Sequence, residues 1–168
     1  MIDFTIAIVT GKEEKGKVMV EAITDVFQVQ VFPTGNALLE YLENNEIDLT
    51  LIDFGIQDMS AVELQQTINK DYPDVHTVMI TGIDRSKCIV ESMKKRAMDY
   101  IYQTEDQERF KSDVCKLVRF VIDDKKRYKA ESALRETGLY TLIKDIYENR
   151  NIDIDEIKKE IERLHKRE

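Results

Sequence analysis

Gly11, Gly16 and Lys17 fit the first seven positions of the phosphate-cradling pattern G-x-x-x-x-G-K-[ST], just after an apolar run, FTIAIV, at residues 4–9. Such a loop closes its backbone N–H groups on phosphate and uses the following hydroxyl to hold Mg²⁺. Here that hydroxyl position is Val18, and the intervening residues are Lys12, Glu13, Glu14 and Lys15. Two carboxylates there repel a phosphate. The stretch is better read as a helix start, with Glu13 and Glu14 favourably placed in the first turn. His76 and His165 show neither metal-ligand spacing nor a Ser or Cys partner, and Cys88 and Cys115 show no C-x-x-C spacing. The cysteines read as two reduced, buried thiols rather than a disulfide or a metal site. No catalytic constellation emerges, so the chain is read as a non-enzyme with no metal site.

Chemistry must then be sought where the elements of the chain bring residues together. Apolar or alternating runs at residues 4–9, 27–32, 48–53, 75–81 and 99–102 predict five strands. Helical spacing predicts helices between them: residues 13–25 with Val18, Val20 and Ile23 apolar, one capped by Asn36 with Leu38, Leu39 and Leu42 inward, one opened by Ser60, and one capped by Ser86. A fifth helix carries Phe110, Val114, Leu117, Val118, Val121 and Ile122 on one face. Strands alternating with helices imply βαβ units and an α/β, doubly wound parallel sheet. Function in such a sheet lies at the carboxyl ends of the strands. Those ends are Val9-Thr10-Gly11, Asp53, Thr81-Gly82 and Tyr102-Gln103.

At the third strand, "DLTLIDFGIQDMSAVEL" resembles the receiver domain of bacterial response regulators. The resemblance covers residues 4 to about 122 and implies the five-stranded flavodoxin-like order 2-1-3-4-5. It places Asp53 on the phosphoacceptor position, Thr81 of "VMITG" on the switch hydroxyl and Tyr100 of "AMDYIYQT" on the switch aromatic. Departures from the family pattern are equally specific. Thr10 and Gly11 stand where the family places two acidic residues for Mg²⁺, and Gln103-Thr104 replaces its Lys-Pro. After Asp53, Gln57 stands for a proline and Ala61 for a glycine. The resemblance thus implies a degenerate pocket, Thr10, Gly11 and Gln103, keeping Asp53 but no lysine. Little field remains there to recruit Mg²⁺, which prefers several oxygen ligands. Phosphoryl transfer to a carboxylate depends on such cations.

Residues 1–122 are read as the receiver-like domain and 123–168 as a helical extension. The polar stretch at 123–137 resembles the signalling helix that joins receiver and sensor modules, and Gly138 interrupts it. Beyond it, Ile154, Ile157, Ile161 and Leu164 form a coiled-coil-like seam two heptads long, for homodimerisation or for an intramolecular hairpin.

Charge narrows the partners. Residues 1–104 carry 17 acidic and 9 basic side chains, and the remaining 64 carry 16 of each. Neither part offers the basic face that a phosphate backbone requires. No run approaches the length of a membrane span, and no signal peptide starts the chain. The reading is a cytoplasmic signal-transduction module acting on a kinase or a downstream effector by protein–protein contact, with no cofactor. Alternatives are a response regulator phosphorylated on Asp53 by a histidine kinase, with Mg²⁺, and a doubly wound domain binding a small ligand.

Overall fold

The computed structural model describes residues 4–81, 99–102 and 106–136. The chain divides into two compact units, residues 1–121 and 122–168. In chain order the elements are β1 (Thr5–Val9), α1 (Glu13–Ile23), β2 (Gln28–Phe32), α2 (Gly35–Leu42), β3 (Leu49–Asp53), α3 (Ala61–Asp71), β4 (His76–Thr81), β5 (Asp99–Tyr102) and α4 (Gln107–Glu136). The expected helix capped by Ser86 lies outside the described residues, as does Cys88.

All five strands are parallel, in the order β2-β1-β3-β4-β5. The central position of β1, β3 and β4 follows from composition. Every residue of β3 is buried, as are all but the first of β1 and β4. That is what near-continuous apolar runs do when helices cover both faces. β2 alternates Gln and Val and takes an edge, where polar side chains stay in water. Val9, Ile52 and Ile80 are all buried in the central strands. Each fully buried aliphatic side chain of this kind contributes roughly 1.5–3 kcal/mol relative to exposure.

The structure corrects three local readings. In α1 the buried stripe runs through Gly16, Met19, Ala22 and Ile23, whereas Val18 is 42% exposed. Of the three apolar residues named for this helix, Ile23 belongs to the buried stripe and Val18 does not. The cap of α2 is Thr34, whose hydroxyl accepts from the Ala37 N–H at 3.2 Å, and not Asn36. Thr34 lies extended immediately before the first helical residue, and this is the geometry that lets a hydroxyl reach back to a free N–H. Cys115 is half-buried and free, not fully buried. In the first unit, α4 buries Phe110, Val114, Leu117, Val118 and Val121, five of the six residues of the face its helical spacing predicts, and Ile122 is half-buried.

Candidate functional site

Two of the strand ends expected to carry chemistry, those of β1 and β3, are in contact. Register pairs Val9 with Ile52 and Asp53 with Ile80, so Thr10 follows β1 at the level where Asp53 ends β3. The Thr10 hydroxyl donates to Asp53 Oδ2 at 2.9 Å, and the Gly55 N–H donates to Oδ1 at 3.1 Å. Asp53 thus closes its own turn two residues on, which Asp does readily because its short side chain matches that geometry.

One partner corrects the sequence reading. Lys15 Nζ lies 2.7 Å from Asp53 Oδ2, and only 12% of the Lys15 side chain is exposed. The pocket was expected to hold a carboxylate and no cation of its own. Instead α1 supplies an ammonium from its first turn. Lys15 is in phase with Met19 and Ile23 at steps of four, so it is the polar end of the inward stripe. A lysine in that phase, at the helix end nearest the strand tips, is the signal that identifies it in the sequence. Burial pushes the Asp53 carboxyl up, but the Lys15 ammonium, the Gly55 N–H and the Thr10 hydroxyl outweigh burial. The carboxyl is held below the usual carboxylate range.

The other expected site residues fall as follows. Gly11 is exposed, and a Cβ there would come 3.3 Å from the Gly55 carbonyl, so the turns after β1 and β3 are in close approach. Thr81 is buried at the end of β4, one step past the residue paired with Asp53 and opposite Tyr102. Tyr100 pairs with Met79 and packs on the core face that contains Ile52 and Leu64. Its ring meets that of Tyr102 edge-on, with centroids 5.2 Å apart. Glu13 is turned outward, its carboxylate 2.7 Å from Lys17 Nζ. Gln103 and the seam of Ile154, Ile157, Ile161 and Leu164 lie outside the described residues.

A divalent cation needs several oxygens free to accept it. Among the described residues, the oxygens seen next to Asp53 include its own two, the Thr10 hydroxyl and the Gly55 carbonyl. Each already accepts a hydrogen bond from the chain. Asp53 Oδ1 takes the Gly55 N–H, Oδ2 takes Thr10 and Lys15, Thr10 Oγ1 takes the Lys12 N–H at 3.3 Å, and the Gly55 carbonyl takes Gln57 Nε2 at 2.9 Å. Among the described residues no three His, Cys, Asp or Glu side chains gather as a metal set would. The residues present do not fit Mg²⁺.

The turn after Asp53 is also tied to α2. Asp58 accepts from the N–H groups of Gly35 at 3.0 Å and Asn36 at 2.9 Å, one carboxylate oxygen each. With Thr34 on Ala37, three of the four N–H groups that a helix start leaves unpaired are satisfied. Burial pushes the Asp58 carboxyl up, but these N–H donors reverse that and hold it below its ordinary value. The roles that sequence reasoning missed are therefore those of Lys15, Gln57 and Asp58.

Residues 6–115, more than half of the chain, match the model of the response regulator receiver domain. The chain is similar to the luminescence regulatory protein LuxO of Vibrio campbellii, at 24% identity over 91 residues, 54% of this chain and 20% of that protein. It is 28% identical over 102 residues to the transcriptional regulatory protein FixJ of Rhizobium meliloti, covering 60% of this chain and 50% of FixJ. Among solved structures, a CheY-like response regulator receiver domain protein from Methanospirillum hungatei superposes with a TM-score of 0.61 at 21% identity, over 76% of this chain and 99% of that one. At that identity the superposition speaks for the fold alone. This chain spans a fifth of the length of LuxO and half that of FixJ.

Proposed function

We propose, since the chain belongs to the response regulator receiver domain family, that it is a degenerate member acting through protein–protein contacts without Mg²⁺-assisted phosphorylation. Receiver domains work with kinases and effector domains, and the partners proposed here are signalling proteins of those two kinds. The observation that carries the reading is the state of Asp53. Its Oδ2 is engaged by both Lys15 and Thr10. A phosphodonor must approach a carboxylate oxygen in line and have its developing charge neutralised by metal ions. Here one of the two carboxylate oxygens is engaged by two side-chain donors, and the neutralising charge is an ammonium carried by the chain. Removing a single comparable electrostatic contact costs about 10²–10³ in rate, and this corner lacks the two acidic residues that the family pattern places after β1 for Mg²⁺.

The net charge of -8 and the lack of a basic cluster in either part of the sequence favour proteins over nucleic acid as partners. Among the described residues no helix is long and apolar enough to cross a membrane. A cytoplasmic location and homodimerisation through the terminal seam belong to the same proposal.

The second reading, phosphorylation of Asp53, is favoured by its place at the end of β3, with Thr81 one step away on β4. One experiment separates the two. The full chain is incubated with acetyl phosphate and millimolar Mg²⁺, then read by intact mass and by the amide resonances of Asp53 and Thr81. The expected result is an unmodified chain and an unmoved spectrum. A phosphoryl adduct mapped to Asp53 would replace the proposal with the second reading.

A further inference from the structure

The corner at Asp53 holds more than an absence of acidic residues. α1 begins with a long cationic side chain on its inward stripe, where Met19 and Ile23 continue the same line of packing. A lysine there has the core on one side and the strand tips on the other. Its ammonium reaches the carboxylate at 2.7 Å, and both side chains are almost wholly buried. Thr10 completes the arrangement by donating its hydroxyl to the same oxygen. The two donors reach Oδ2 from α1 and from the end of β1, while the Gly55 N–H holds Oδ1.

We infer that Lys15 is a resident cation that occupies the electrostatic position of a divalent metal beside Asp53 and excludes one. The inference rests on the proposed reading of the site and deepens it. Substitution of the acidic residues at Thr10 and Gly11 is then only half of the change. An ammonium delivers one positive charge and hydrogen-bond donors, so it neutralises a single carboxylate without asking for further oxygen ligands. A divalent cation beside the same carboxylate has to displace it. Adding a carboxylate alone would leave the ammonium in place, now serving two acids. Removing the ammonium as well would leave two adjacent carboxylates with no cation, the arrangement to which hard divalent ions bind.

The test compares full-length wild type, Thr10→Asp, Lys15→Met and the double variant, with Mn²⁺ as the probe, read by electron paramagnetic resonance. Met keeps the length and apolar stem of the lysine, so its packing beside Met19 is retained. The double variant is expected to bind Mn²⁺ at least tenfold more tightly than Thr10→Asp, with wild type binding none at millimolar concentration. Equal affinity of Thr10→Asp and the double variant would overturn the inference, because residue 15 would then be indifferent to the metal. Should the double variant fail to fold, Lys15→Met alone decides through the ¹³C titration of the Asp53 carboxyl. Its midpoint is expected to move to higher pH when the ammonium is removed, and an unchanged midpoint overturns the inference. Phosphorylation of the wild type by acetyl phosphate is a separate readout. It would remove the functional proposal, whereas the Mn²⁺ ratio and the titration bear on Lys15.

Discussion

At the scale of single residues, the ion pair of Lys15 and Asp53 makes a claim about pH. The Asp53 carboxyl is held below its ordinary value in the folded chain. A group depressed by folding adds stability that is present above its unfolded value, near 4 (roughly) for Asp, and lost as pH falls through the folded value. Asp53→Asn removes the charge and leaves the ammonium without its carboxylate. At pH 7 the variant is expected to be less stable by about 1–3 kcal/mol, read from urea midpoints. The gap to wild type should narrow as pH falls below about 4, because the native carboxylate is then being protonated too. A gap that stays constant down to low pH would show that the pair does not stabilise the fold. Lys15 also shows where sequence reading failed. Asp53, Thr10 and Gly11 were legible because strand ends are fixed by the end of an apolar run. The partner of Asp53 was not, because it depends on the phase of α1, which the apolar residues Val18, Val20 and Ile23 did not settle.

Among the elements, the strands were the most legible part of the chain. β1, β3 and β4 are buried along nearly their whole length, so their sequences are predominantly apolar, and the alternation with helices marks the sheet as parallel while its order came from the family resemblance. Helix starts were less legible because several polar residues in a row can each cap. Thr34, Asn36 and Asp58 compete for α2, and the structure uses the first and the last. Asp58 was beyond a local reading, since it reaches α2 from the turn after β3, 23 residues away from Gly35. That link couples the turn carrying Gly55 and Gln57 to a helix start. Gly35 permits it, because a Cβ there would sit 2.8 Å from Met59 Sδ. Asp58→Ala is expected to lower stability by about 1 kcal/mol, the usual cost of a lost helix cap. Hydrogen exchange should accelerate at Gly35 and Asn36 and spread to residues 54–60. Faster exchange confined to α2 would mean that the turn is held without Asp58.

For the whole molecule, the distribution of charge and apolar residues decides what an output without phosphate can be. On the proposed reading, with Asp53 neutralised by its own chain, information lies in the surfaces the receiver presents and in how many copies present them together. The acidic surplus lies in residues 1–104, and the remainder of the chain is balanced at 16 acidic and 16 basic side chains. Two copies therefore meet little net repulsion if they pair through the balanced part, whereas pairing through the acidic part opposes like charges. The apolar stripe of Ile154, Ile157, Ile161 and Leu164 is in that balanced part, at the three-four-three spacing of a coiled-coil seam. A helix of that length is marginal in isolation, so pairing and helix formation should be coupled. The full chain is expected to be a homodimer by multi-angle light scattering. Ile157→Asp with Ile161→Asp should convert it to a monomer, since two charges on each strand of a short seam cannot be buried without partners. The near-ultraviolet and thermal signatures of the sheet should be unchanged in that variant. A monomeric wild type would remove the dimer from the proposal, and a dimer that survives both substitutions would place the contact elsewhere in the chain.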